Sequence, residues 1–67
     1  MIKPTEELVK WMETFVPQSK LADILQIDEA YLSRIKSGKQ NVSSSMMELF
    51  KQINGWPLSR AWEITDE

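Results

Sequence analysis

Between Pro17 and Asn41 the sequence PQSKLADILQIDEAYLSRIKSGKQN carries two apolar patterns. Each is too short to hold a helix alone, and the two lie too close together to fold apart. Leu21, Ala22 and Leu25 share one face of a helix predicted over about Gln18 to Leu25, at i, i+1 and i+4. Leu32 and Ile35 share a face of the next helix, which opens after Asp28. Only Gln26 and Ile27 form the turn, so the helices must cross and bury their stripes on each other. Ala22 is small enough for a close crossing, and Ile27 can plug the angle. Asp28 suits the cap of the second helix, accepting amides at Ala30 and Tyr31. Gly38 closes that helix, as a glycine just past a helix end commonly does. Ala30, Tyr31, Ser33, Arg34 and Lys36 are left pointing outward.

The remaining chain reads as further short helices. The first is predicted from about Pro4 or Thr5 to Phe15, with Pro4 in its opening turn and Glu6 and Glu7 at its positive end. Leu8, Trp11, Met12 and Phe15 give its inward stripe, and Val16-Pro17 ends it. After a loop at Lys39–Val42, any of Ser43, Ser44 and Ser45 can cap the next helix, and Ser45-Met46-Met47-Glu48 fits a capping box. Met46, Leu49, Phe50 and Ile53 give its core spacing, and Asn54-Gly55 stops it. Trp56-Pro57 opens a last helix to about Glu63, with Leu58, Ala61 and Trp62 on one face. The expected fold class is all-α: one domain over 1–67, a compact bundle of five short helices around one core.

Composition excludes several functions. A 67-residue chain buries roughly 60% of its unfolded surface, so its core is thin. The 42% hydrophobic content and three tryptophans still favour folding. Without cysteine or histidine there are no disulfides, no thiolate or imidazole metal ligands and no histidine base, so no metal or cofactor is expected. Glu6, Glu7 and Glu13 read as a solvated helix face, and the serine triplet lacks a base. Neither an enzyme nor a small-molecule substrate is expected. No apolar run approaches the roughly 18 residues of a membrane span, and acids occupy the place of a signal peptide's apolar stretch. The expectation is a soluble, cytoplasmic, mature chain with no membrane partner.

The net charge of −2 counts against nucleic acid, but its distribution does not. Acids gather at Glu6, Glu7 and Glu13 and at Glu63, Asp66 and Glu67, while Ala30–Met47 holds none and includes Arg34, Lys36 and Lys39. A polarised chain can present a locally positive face. Arg34 can read guanine O6 and N7 bidentately, which discriminates by about 1–3 kcal/mol. Glu29 can accept from cytosine N4, and Ala30 can touch a thymine methyl. Tyr31 can bond phosphate or stack on a sugar, and Lys36 and Lys39 can neutralise phosphate. Plainer readings stand beside these. Arg34 and Lys36 can be solvated charges, Glu29 a helix-dipole residue, Tyr31 half-packed on the preceding helix, and Lys39-Gln40-Asn41 a simple turn.

Gln18, Leu21-Ala22, Ile27, Leu32, Ile35 and Gly38, followed by Lys39 and Asn41, resemble the phage repressor and Cro-like helix-turn-helix family, also called the XRE family, over about Pro17 to Ile53. The resemblance implies a lambda-repressor-like bundle with the helix-turn-helix at helices two and three, about 17–38. It implies that Gln18 touches phosphate or supports a base-reading side chain. It places Glu29, Ala30, Tyr31, Ser33 and Arg34 toward base edges, and Ser37, Lys39 and Asn41 on phosphates. Asp28, Lys36 and Gln40 complete the candidate contact set. Gln26 stands where the family usually has glycine and so must take a left-handed conformation.

The implied activity is a sequence-specific transcriptional regulator, a Cro-like repressor of bacterial or phage origin, nucleoid-associated when bound. It would bind double-stranded DNA as a homodimer on an inverted repeat, with recognition helices roughly 34 Å apart. Trp56, Pro57, Leu58 and Trp62, within 56–64, offer a dimerisation segment. The plainer reading closes both tryptophans over the core, and the expectation is a mixture, one buried and one near an interface. Two other classes remain open. One is a protein-interaction module such as an antitoxin or adaptor. The other is an architectural or recombination-directionality factor.

Overall fold

The computed structural model describes residues 1–65; Asp66 and Glu67, counted above among the acids of one end, lie outside the described residues. From the N-terminus, strand β1 (Ile2–Pro4) leads into helices α1 (Glu6–Met12), α2 (Ser19–Leu25), α3 (Glu29–Lys36), α4 (Ser44–Asn54) and α5 (Leu58–Ala61). Strand β2 (Trp62–Ile64) then returns antiparallel to β1, pairing Ile2 with Ile64, Lys3 with Glu63 and Pro4 with Trp62. Among the described residues the fold is therefore five helices and a two-stranded sheet, mostly helical rather than all-α.

The sheet corrects both ends of the sequence reading. Pro4 lies in β1 rather than in a helical turn. Thr5 is the cap, accepting the Leu8 N–H at 3.3 Å and donating its hydroxyl to the Arg60 carbonyl at 2.9 Å. That second bond fastens the start of α1 to α5. At the other end the last helix stops at Ala61, because Trp62–Ile64 pairs with β1 instead of continuing to Glu63.

Leu8, Met12, Leu21, Leu25, Leu32, Ile35 and Phe50 are fully buried and form the middle of the core. Trp62 meets the Phe50 ring edge-on at 5.2 Å, a favoured aromatic geometry. In α4 the inward stripe differs from expectation: Leu49 is exposed, while Met46, Met47 and Ile53 pack at the core margin. Its cap is Ser43, which accepts the Met46 N–H at 3.3 Å. Glu48 is thus too far along the helix to complete a capping box, and the Ser45-based reading is corrected. No helix of the described residues is long and apolar enough to cross a membrane.

Candidate nucleic-acid interface

Helix α3 is held at both ends by local chemistry. Asp28 is extended at φ −87°, ψ 165°, and its carboxylate accepts the Tyr31 N–H at 2.6 Å. At the far end Gly38 takes φ 77°; its N–H reaches the Ile35 carbonyl (3.1 Å), and that of Lys39 reaches Arg34 (3.0 Å). This paired closure needs a left-handed residue, which glycine supplies without a Cβ penalty. Gln26 closes α2 in the same way at φ 60°, ψ 41°, the conformation expected of it. The Ile27 N–H then bonds the Ala22 carbonyl at 3.0 Å, which turns the chain sharply into α3.

Leu32 and Ile35 bury one side of α3, and Glu29, Ala30, Ser33, Arg34 and Ser37 are exposed on the other. Arg34 is steered by two neighbours. Its Nε donates to Gln40 Oε1 at 3.4 Å, and its guanidinium carbon lies 5.6 Å from the centre of the Tyr31 ring. Both Nη groups keep their N–H bonds without protein acceptors among the described residues, so the two-pronged edge suited to guanine or phosphate is available. Gln40 is fixed in turn by donating to the Asn41 carbonyl at 3.3 Å. Lys39 is exposed and forms no ion pair among the described residues.

Several sequence-predicted contacts have other duties. The Gln18 amide nitrogen donates to the carbonyls of Met12 (2.8 Å) and Phe15 (2.7 Å), and its oxygen accepts Lys36 Nζ at 3.0 Å. Both amide hydrogens are committed, so Gln18 has none to give a phosphate. It clamps the exit of α1 to α3 instead. Lys36 is correspondingly half-buried and drawn off the outward face toward α2. Asp28 is occupied as a cap, and its charge would repel phosphate. The Ser37 hydroxyl donates to the Arg34 carbonyl at 3.1 Å. Asn41 Oδ1 accepts the Ile2 N–H at 3.1 Å, which leaves its amide nitrogen for an external acceptor. Tyr31 is half-buried against the core, as its plainer reading held.

Strand β1 is the part of the site that sequence reasoning missed. Besides the Ile2–Asn41 bond, the Lys3 side chain passes Gly38 so closely that a Cβ there would stand 3.3 Å from Lys3 Cδ. The ammonium of Lys3 lies 3.6 Å from Glu63, so the strand pair and the end of α3 are tied together. Three residues, Ile-Lys-Pro, are too few to show strand alternation, and no sequence signal marks this buttress.

The dimerisation segment is also redrawn. Trp62 is 7% exposed within the core and is withdrawn as an interface residue. Trp56 is half-buried, covered on one face by the Arg60 guanidinium at 4.0 Å and neighboured by Trp11 at 6.3 Å. Arg60 is itself held by Glu7 at 2.9 Å. Pro57 and Leu58 are exposed. Compared with family models, curated proteins and solved structures, the chain matches none.

Proposed function

We propose that this chain is a sequence-specific DNA-binding regulator of the helix-turn-helix type, with α3 as the recognition helix and two copies acting on an inverted repeat. The reading rests chiefly on one observation: Arg34 stands on the exposed side of a helix whose opposite side is fully buried, with both Nη groups open to an acceptor. The α2–turn–α3 geometry supports it, since the tight left-handed turn at Gln26 and the caps of α3 leave that face unobstructed. The acid-free window Ala30–Met47 supports it electrostatically. Repression by occupying promoter DNA needs no catalytic step and no cofactor.

The test is selection from a random duplex pool at about 50 mM salt, where phosphate contacts are strongest, followed by sequencing. A recurring half-site containing guanine, repeated as an inverted pair, is the expected result. Failure to enrich any sequence would overturn the proposal.

A second reading has its own support. The net charge is −2, and Lys36 is engaged by Gln18, which leaves Arg34 and Lys39 as the exposed cations around α3. A basic protein partner, as for an antitoxin or adaptor, would suit that balance. It would be favoured if selection failed while a basic peptide bound at low salt.

A further inference from the structure

The loop from Gly38 to Val42 leaves α3, and three separate contacts hold it. Val42 is buried in the core, the Lys3 side chain passes close to Gly38, and the Ile2 N–H donates to Asn41 Oδ1 at 3.1 Å. Two of the three come from β1. Met1 and Thr65 exchange N–H···O bonds of 2.9 and 2.8 Å. By antiparallel alternation the Ile2 N–H therefore turns away from β2 and serves the loop alone.

From Asn41 the contacts run on to Arg34. The Gln40 amide nitrogen donates to the Asn41 carbonyl at 3.3 Å, and Gln40 Oε1 accepts the Arg34 Nε–H at 3.4 Å. Three hydrogen bonds in series thus join the N-terminal strand to the outward side chain of α3. Bonds of 3.3 and 3.4 Å are long, and at an exposed site they add little to folding. Their consequence lies in how Arg34 is presented. A guanidinium has two kinds of edge for a pair of acceptors: both Nη groups at its end, or Nε with one Nη at its side. With Nε given to Gln40, the end pair remains.

We propose that Gln40, anchored on Asn41, is a positioning residue for Arg34, and that β1 tunes the sequence preference of α3 through this pair. The inference rests on the proposed function, since it concerns how α3 reads a duplex. An unheld arginine samples many rotamers and must be ordered on binding. One already held loses less freedom when its end pair meets guanine O6 and N7. An unheld arginine can also turn to a neighbouring phosphate, which carries no sequence information. Holding it therefore favours base reading over general affinity.

Two substitutions break the series at different points. Gln40→Met keeps the length of the side chain and removes both of its hydrogen bonds. Ile2→Pro removes the N–H given to Asn41, at a strand position whose N–H the sheet does not use. Ile2→Ala truncates the same side chain but keeps that N–H, so it separates the bond from the packing of Ile2.

The test joins NMR of the Arg34 Nε–H group in the free full chain to affinities for the selected and a scrambled duplex. In Gln40→Met and Ile2→Pro the Arg34 signal should shift and gain mobility, while in Ile2→Ala it should follow the parent. Preference for the selected duplex should fall by about threefold or more in Gln40→Met, and by less in Ile2→Pro, with affinity for the scrambled duplex unchanged. Introduced into Arg34→Ala, Gln40→Met should have no further effect, because a positioning residue acts only through the group it positions. An Arg34 signal indifferent to both substitutions, equal losses on the two duplexes, or a Gln40→Met effect that persists without Arg34 would overturn the inference. If the signal responds but no duplex is ever enriched, the proposed function falls and the hydrogen-bonded series stands. Enrichment that ignores both substitutions removes this inference alone.

Discussion

The two sides of α3 use the same eight residues for different ends. Leu32, Ile35 and Lys36 are spent on the rest of the molecule: two are packed in the core and one is held by Gln18. Glu29, Ala30, Ser33 and Arg34 touch little of it. Under the proposed function, the contrast separates stability from recognition along one short helix. Changes on the inner side should cost folding, and changes on the outer side should cost only what the helix binds.

Leu32→Ala should have the largest effect. The side chain is fully buried, and such truncations cost about 2–5 kcal/mol, a large part of the stability of a chain this small. Thermal denaturation should show a fall in Tm of at least about 10 °C or loss of the transition altogether. A shift under a few degrees would break the distinction between the two sides.

Gln18→Leu comes next. It removes the donor to the Phe15 carbonyl and one of two donors to the Met12 carbonyl, which keeps the Phe15 N–H at 3.3 Å, and it releases Lys36; a partly buried acceptor left unpaired costs about 1–3 kcal/mol. Urea denaturation should report that loss, with Lys36 more mobile in side-chain NMR. An unchanged midpoint would place the clamp outside the folding energetics.

Gln26→Gly should act in the opposite direction and least. A left-handed non-glycine residue is strained by about 1–2 kcal/mol, of which the more flexible unfolded glycine chain returns part, leaving a net gain of about 0.5 kcal/mol. A measured loss would mean that the glutamine side chain contributes something its exposure does not suggest.

These features were not equally legible from the sequence. The apolar spacing of Leu21, Leu25, Leu32 and Ile35, the cap at Asp28 and the glycine stop at Gly38 are local rules, each complete within a few residues. The left-handed Gln26 was not legible in the spacing; it was expected only from the resemblance, which puts a glycine at that place in the turn. The strands were hidden for the opposite reason. Each has three residues, and their pairing joins positions about as far apart as the chain allows, so neither carries a periodic signal of its own. Trp62 belongs to that pairing, and its burial depends on a strand that local patterning read as helix.

At the candidate site the same division holds. The exposure of Arg34 follows from helical geometry, but the engagement of Gln18 does not. A polar side chain at a helix start can face solvent, phosphate or a neighbouring carbonyl, and the choice depends on where the end of α1 arrives. Likewise the serine triplet allowed three caps, and the structure uses Ser43, whose hydroxyl accepts the Met46 N–H.

The central claim is most directly tested on Arg34, with the variant Arg34→Ala compared with the parent chain in melting temperature and in affinity for selected and scrambled duplexes. The outward side chain should leave Tm within a few degrees while the preference for the selected duplex falls by about tenfold or more, the value of one bidentate base contact. Equal affinity of parent and variant for both duplexes, or a collapse of Tm on removing this one side chain, would contradict the account.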